Sequence, residues 1–193
     1  MARAGLDQNV IIEKAAALAN DVGIENITLK MVADEFGIQT PSLYNHIKGL
    51  EDLKKQIMLL GWKQVEKEII LSVVGVSGYD ALRRMCYAFY EYATKNPGIF
   101  NAMLWYNKYQ NDEAQNATKQ LFAVLFKIMG TLNISDENIN HFIRTFRGFL
   151  EGYALLVNNG AFGNPAPVRE SFDLSVEVLL NGIKTLVAEK EKR

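Results

Sequence analysis

Residues 28–55 read TLKMVADEFGIQTPSLYNHIKGLEDLKK, and this stretch carries the clearest structural signal in the chain. Four apolar residues recur in it at helical spacing: Leu29, Val32, Ala33 and Phe36. Gly37 interrupts that pattern, and Pro41 stands in the first turn of a second short helix, where a missing N–H has little cost. Two short helices joined by a turn with glycine are typical of a helix-turn-helix, whose second helix enters the DNA major groove.

The sequence around this motif carries a longer signature. It comprises the small pair Ala15-Ala16, Gly23, Thr28, Ala33, Gly37 and the string LYNHIK at residues 43–48. On these features, residues 10–53 resemble the N-terminal domain of the TetR family of bacterial transcriptional regulators. The resemblance implies a three-helix DNA-binding domain over residues 1–49 and a larger helical domain over residues 50–193 that binds an effector and dimerises.

The second helix of the motif presents most of the side chains through which we expect DNA to be contacted, and the start of the first helix adds two more. The predicted DNA-binding residues are Thr28, Lys30, Thr40, Pro41, Ser42, Tyr44, Asn45, His46 and Lys48. The amide of Asn45 suits adenine, whereas Tyr44 and His46 suit phosphates, which set the register without reading the sequence. Lys30 is placed to reach guanine, and Lys48 is placed to hold a phosphate.

The charge of the predicted DNA-binding domain limits its affinity for DNA. The whole chain carries a formal charge of -1, and among residues 1–60 six basic and eight acidic side chains leave -2. Because phosphate neutralisation supplies most non-specific affinity, we expect salt-sensitive binding that depends on dimerisation. Gly49-Leu50 replaces a lysine that the family often carries there, and Lys54 or Lys55 is the expected substitute.

Every convincing element is a helix, so the pattern predicts an all-α protein of about nine helices. The predicted DNA-binding domain, residues 1–49, is called the head below. After it, helices are expected near residues 50–72, 80–95, 98–108, 112–130, 135–158 and 168–190. The last two are apolar over more than one stripe, which favours a two-fold interface between subunits. The predicted dimer-interface residues are Phe149, Gly152, Leu156, Leu174, Val178 and Ile183. The alternative is that both helices are interior to one subunit.

The helical body is rich in large, adaptable side chains. Those predicted to line an effector site are Trp62, Tyr87, Tyr90, Met103, Trp105, Phe122, Phe126, Phe146 and Tyr153. Such residues can line an apolar pocket, but at helical spacing they are also typical of an ordinary core. The resemblance favours the pocket, because regulators of this family hold an effector in the body. The composition indicates a small hydrophobic or aromatic molecule.

Other classes of function find little support in the sequence. His46 and His141 lie far apart and no catalytic or nucleotide-binding motif occurs, so no enzymatic activity, metal or cofactor is expected. The single cysteine, Cys86, excludes an internal disulfide and is expected as a core thiol. No apolar stretch approaches the roughly 18 residues of a membrane span and no signal peptide is recognised, which indicates a cytoplasmic protein.

Together these features predict a dimeric, ligand-responsive DNA-binding regulator. On the resemblance, it is a repressor that leaves an inverted-repeat operator when a small effector binds. The alternative is a DNA-binding architectural or adaptor module without a small-molecule effector, for which a filled body is expected.

Overall fold

The computed structural model describes residues 6–109 and 112–190, and within these ranges every regular element is helical. The α-helices are α1 (Gln8–Val22), α2 (Leu29–Glu35), α3 (Leu50–Ser72), α4 (Gly78–Lys95), α5 (Pro97–Met103), α6 (Asp112–Gly130), α7 (Asp136–Asn158) and α8 (Val168–Lys190). Two 3-10 helices lie at Thr40–Asn45 and Tyr106–Tyr109. The all-α prediction is confirmed, and the helix predicted near residues 98–108 is divided into α5 and the second 3-10 helix.

The second helix of the helix-turn-helix is a 3-10 helix. The N–H of Ser42 donates to the carbonyl of Gln39, and the N–H of His46 donates to the carbonyl of Leu43, both at 2.9 Å. These hydrogen bonds close i to i+3 turns, which are tighter than the i to i+4 turns of an α-helix. Residues 40–48 are called the recognition segment below.

The chain forms two compact units. The first comprises Met1–Gln64 and Lys95–Thr118, and the second comprises Val65–Thr94 and Lys119–Arg193. In the first unit, fully buried side chains of α1, the turns after it, the 3-10 helix Thr40–Asn45 and α3 contribute to the core: Ile11, Ile24, Ile27, Leu43, Leu53 and Ile57. This unit holds the predicted DNA-binding residues and also α5. The functional division at residues 49 and 50 stays a prediction.

The core of the second unit is built largely from α4, α7 and α8. Phe172, Val176 and Leu180 recur at a spacing of four on α8 and are fully buried, as expected for one face of a helix. Cys86 on α4 is a free, buried thiol, and burial raises its pKa to about 12. The thiol is therefore neutral at physiological pH and acts as a small apolar core group.

Candidate DNA-binding surface and helical body

The recognition segment is anchored by two buried residues. Leu43 and Ile47 are buried, whereas Tyr44 between them is 58% exposed. Among the other predicted DNA-binding residues of the segment, the exposed ones are Pro41, Asn45 and Lys48, and the half-buried ones are Thr40, Ser42 and His46. The segment therefore turns its apolar side chains inward and offers the remaining ones to a ligand on its outer face.

Helix α2 supports the recognition segment from the other side of the turn. The hydroxyl of Thr28 accepts a hydrogen bond from the N–H of Met31 at 3.2 Å, which caps α2 as its sequence position predicts. Lys14 on α1 and Glu35 on α2 form an ion pair at 2.7 Å. Thr28 and Lys30 are exposed at the start of α2. The cap stabilises the first turn of α2, and the ion pair joins α2 to α1.

The Thr28 cap leads to a stability prediction. Because the Thr28 hydroxyl satisfies a backbone N–H that has no partner within α2, we expect Thr28→Ala to lower the free energy of unfolding by about 1 kcal/mol. Thermal unfolding followed by circular dichroism measures this change. Thr28→Ser, which keeps the hydroxyl, serves as the control and should remain close to wild type. Equal melting temperatures for the Ala and Ser variants would contradict the capping role.

The lysines at the start of α3 have partners within the first unit. Lys54 is buried, and its ammonium donates to the carbonyl of Glu25 at 3.4 Å and lies 5.8 Å from the ring centre of Trp105. Lys55 forms an ion pair with Glu113. These contacts do not favour the expectation that Lys54 or Lys55 replaces the missing family lysine on a phosphate. The backbone N–H of Lys48 donates to the Asp52 carboxylate at 3.0 Å, and its side chain is exposed.

Three residues predicted to line the effector site lie in the first unit. The ring of Trp62 is buried and meets Tyr106 edge to face, with 5.9 Å between ring centres. Met103 is buried near Gly61. Trp105 is half-buried, and the Lys108 ammonium lies 4.9 Å from its ring centre. These side chains already pack against neighbours in the structure.

The other six predicted effector residues lie in the second unit, where an aromatic cluster surrounds Phe172. This Phe172 cluster consists of Tyr87, Tyr90, Phe149, Tyr153 and Phe172. Tyr90 stacks on Phe172 with 4.0 Å between ring centres, and Tyr153 meets the same ring edge to face at 5.2 Å. Phe146 is buried, while Phe126 is half-buried and Phe122 is exposed on α6. The structure therefore groups Tyr87, Tyr90 and Tyr153 but not all six.

Two clefts open elsewhere on the described residues. One, of about 300 Å³ in the second unit, is lined by Asn133, Ile134, Ser135, Asn138, Phe142, Leu186, Val187 and Glu189. The other, of about 380 Å³ in the first unit, is lined by Asn9, Ile12, Glu13, Gln56, Leu59, Leu60 and Lys63. Neither lining includes a residue predicted to bind an effector, so the effector site stays a prediction.

The last two helices each expose apolar side chains. On α8, Leu174 is 67% and Val178 is 63% exposed, and these residues stand four apart in line with Gly182 and Leu186. On α7, Leu155 and Leu156 are exposed, and Phe149 and Gly152 are half-buried. The α7–α8 face is defined here by Leu155, Leu156, Leu174, Val178 and Leu186. Ile183 differs from the other predicted interface residues, since it is buried in its own unit at 4% exposure.

Polar contacts join α4 to α8 beside the Phe172 cluster. The Arg83 guanidinium donates to both carboxylate oxygens of Glu177, at 2.6 and 3.0 Å, and also pairs with Asp80. The Tyr87 hydroxyl donates to Asp173 at 2.9 Å. The hydrogen bond from Arg83 lowers the pKa of Glu177, and the same bond raises the pKa of Arg83. Bidentate arginine–carboxylate pairs of this kind restrict the geometry between the two helices that they join.

This ion pair predicts a pH-dependent contribution to stability. Because the pKa of Glu177 is lower in the folded chain, its contribution is present at neutral pH and is lost as the pH falls through that lowered pKa. Both partners are partly exposed, so we expect Glu177→Gln to cost only about 0.5 kcal/mol at pH 7. The difference from wild type should shrink below about pH 4. Glu189→Gln on the same helix is the control, and an unchanging difference down to about pH 3 would contradict the assignment.

Phe172 and Glu177 were not singled out from the sequence. Glu177 and Arg83 are 94 positions apart, and no local pattern marks them as partners. Phe172 follows the loop after α7 and begins the buried stripe of α8, so its spacing with Val176 and Leu180 was the available signal. That spacing identifies the buried face of α8. It does not identify the aromatic rings that pack against Phe172 on that face.

A helix-turn-helix with an outward-facing recognition segment and an all-helical body defines a class of DNA-binding transcriptional regulators. A family model described as the tetracyclin repressor-like C-terminal domain matches residues 82–179, about half of the chain. An uncharacterized HTH-type transcriptional regulator of Bacillus subtilis (strain 168), YobS, is 26% identical over 182 residues, which cover 94% of this chain and 94% of that protein. The chain therefore belongs to the TetR family of transcriptional regulators.

Two solved structures share the fold at low sequence identity. A protein of unknown function from Rhodococcus sp. RHA1 has a TM-score of 0.77 and 15% identity, covering 93% of this chain and 96% of that chain. A TetR variant from Acinetobacter baumannii AYE in complex with minocycline has a TM-score of 0.72 and 14% identity, covering 94% of this chain and 98% of that chain. Within the described ranges, no helix has the length and apolar character needed to cross a membrane.

Proposed function

We propose that this chain is a dimeric repressor of the TetR family that binds an inverted-repeat operator in the cytoplasm and is released by a small hydrophobic effector. The observation that carries the proposal is the recognition segment, which is anchored by buried Leu43 and Ile47 and exposes Pro41, Tyr44 and Asn45. A segment of this kind presents side chains to a major groove while its apolar anchors stay buried. The proposal includes no catalytic role and no cofactor.

In the proposed DNA complex, some exposed side chains contact base edges and others contact the phosphate backbone. Asn45 pairs with adenine and Lys30 reaches guanine, because an amide and an ammonium match the edges of these bases in the major groove. Tyr44 and Lys48 bind phosphates and position the segment. The half-buried Thr40 and Ser42 hydroxyls add shorter contacts from the same face.

Dimerisation supplies the affinity that one acidic head lacks. The proposed interface is the α7–α8 face, since exposed apolar side chains are stabilised when a second copy covers them. An isologous dimer repeats the recognition segment across a two-fold axis. Two half-sites about one helical turn apart are then bound together.

The effector is proposed to be a small hydrophobic or aromatic molecule held in the body. Large aromatic rings with a few polar groups, such as those of the Phe172 cluster, can hold a molecule of this kind. The structural neighbour from Acinetobacter baumannii was solved in complex with minocycline, which supports a ligand-binding role for the shared fold. An effector releases DNA only if it binds the free and operator-bound conformations with different affinity.

Sequence selection on a random DNA pool at physiological salt tests the proposed DNA binding. An enriched inverted repeat with half-sites about one turn apart, bound at nanomolar protein, is expected. A salt titration on the winning sequence then counts the phosphates that are neutralised. Weak binding with a steep salt slope and no enriched sequence would contradict a specific operator.

The second candidate, an architectural or adaptor module without an effector, is favoured by one observation. Tyr90 lies 4.0 Å from Phe172, so the aromatic cluster is filled by its own side chains. A panel of small hydrophobic and aromatic compounds, tested for release of the selected operator and for a rise in melting temperature, separates the two candidates. If one compound releases the protein from the operator, the result supports the repressor. If the protein stays bound to the operator in the presence of every compound, the result supports the architectural or adaptor module.

A further inference from the structure

The amide of Asn20 joins α1 to α5 within the first unit. Its Oδ1 accepts hydrogen bonds from the backbone N–H groups of Gly98 at 3.1 Å and Ile99 at 3.0 Å, and its Nδ2 donates to Asn96 Oδ1 at 3.2 Å. The first N–H groups of a helix have no partner inside that helix. Asn20, from the last turn of α1, therefore caps α5 from a position 78 residues earlier in the chain.

Gly98 brings the two helices into backbone contact at the same place. A Cβ atom added to Gly98 would lie 1.7 Å from the carbonyl oxygen of Ala19 and 2.2 Å from its carbonyl carbon. These are backbone atoms of α1, so no side chain can rotate to make room. Any residue larger than glycine at position 98 must push α5 away from α1.

Helix α5 is also packed against α3. A Cβ on Gly61 would lie 2.6 Å from Ile99 Cγ2 and 2.8 Å from Met103 Cγ. Ile99 and Met103 are both buried. Helix α5 therefore contacts α1 through Gly98 and α3 through Ile99 and Met103, and its position is fixed from two sides.

A short series of contacts leads from this junction to the recognition segment. Helix α1 packs on α2 and is joined to it by the ion pair between Lys14 and Glu35. Helix α2 in turn packs on the 3-10 helix Thr40–Asn45. Packed helices therefore connect α5 to the recognition segment.

We propose that Asn20 and Gly98 are positioning residues for operator binding, because they fix α5 to the last turn of α1. The operator affinity of the head then depends on the placement of α5, although neither residue belongs to the recognition segment. This inference rests on the proposed function.

The experiment compares Asn20→Ala, Asn20→Asp and Gly98→Ala with wild type on the operator selected by the wild-type chain. Hydrogen exchange of the Gly98 and Ile99 amides reports the junction, fluorescence anisotropy reports operator affinity, and circular dichroism reports folding. Asn26→Ala is the matched control, because Asn26 is an exposed asparagine of the same unit whose amide donates to the nearby Val22 carbonyl at 2.8 Å.

Asn20→Ala is expected to speed exchange of both amides at least about tenfold and to weaken operator binding about tenfold, within the usual range of coupling between sites. Asn20→Asp keeps an oxygen acceptor at the helix start but loses the donor to Asn96, so it should retain most of the protection and affinity that Asn20→Ala loses. Gly98→Ala should weaken binding at least as much with helical content retained. Asn26→Ala should match wild type.

Two results would overturn the inference. If Asn20→Ala speeds amide exchange but leaves operator affinity within about twofold of wild type, the junction is structural only. Should Gly98→Ala fail to fold, the comparison of Asn20→Ala with Asn20→Asp decides alone. A wild-type chain that selects no operator would overturn the proposed function itself, and this inference with it.

Discussion

Val178→Glu is expected to convert the proposed dimer into a monomer and to weaken operator binding at least about a hundredfold. Val178 is 63% exposed in the middle of the α7–α8 face. A two-fold interface would bury the new carboxylate twice without a partner, and one unpaired buried charge costs roughly 2–5 kcal/mol. Sedimentation velocity measures the oligomeric state, and anisotropy on the operator and on one half-site measures the affinity.

Val74→Glu provides a closely matched control. Val74 is 68% exposed just after the end of α3, and it allows the same change of side chain outside the α7–α8 face. We expect this variant to remain dimeric and to bind the operator like wild type. If Val178→Glu also remains dimeric with full affinity, the subunits associate through another surface.

The α8 helix shows where sequence reasoning reaches its limit. Val178 and Ile183 are both apolar and both are predicted at the interface, yet one is exposed and the other is buried. Five positions along an α-helix turn a side chain by about 140°, so both cannot face the same neighbour. The sequence shows that α8 is apolar on more than one side. Only the packing against α4 and α7 determines which side is outward.

The head was more predictable because its signals are local. Thr28 caps α2, Gly37 ends it, and Leu43 is buried, all as the spacing of residues 28–47 predicts. The 3-10 geometry does not follow from the spacing of the residues, since it depends on which backbone N–H and carbonyl groups pair. Local patterns thus identify the motif, while the detailed backbone depends on which N–H groups find a partner.

Contacts between residues far apart in the sequence explain the features of the first unit that local patterns do not predict. Lys54 is an available cation in the sequence, but its stem is covered beside Trp105 and its ammonium is bonded to the Glu25 carbonyl. Lysine stems are often buried in this way while the ammonium finds an oxygen. The Asn20 cap on α5 is similar, because its partners lie 76 and 78 positions further along the chain. The one local signal for this contact is Gly98, because a glycine near the start of a helix allows another backbone to come close.

Tyr44→Ala is expected to weaken operator binding by about ten- to a hundredfold while leaving the melting temperature unchanged. The Tyr44 ring is 58% exposed, so its removal opens no cavity, whereas its neighbour Leu43 is fully buried. Leu43→Ala should instead lower the free energy of unfolding by roughly 2–5 kcal/mol. Anisotropy and thermal unfolding on both variants separate DNA contact from packing.

Salt dependence identifies which contact Tyr44 makes. A neutral hydroxyl on a phosphate releases no counterion, so Tyr44→Ala should shift the affinity without changing its slope against salt concentration. Lys48→Ala should reduce that slope by about two on the full operator, because each subunit of the proposed dimer loses one neutralised phosphate. Tyr44→Phe, which keeps the ring, should lose affinity only if the hydroxyl is the contact. Full operator affinity in both Tyr44→Ala and Lys48→Ala would mean that residues 40–48 do not lie on the DNA.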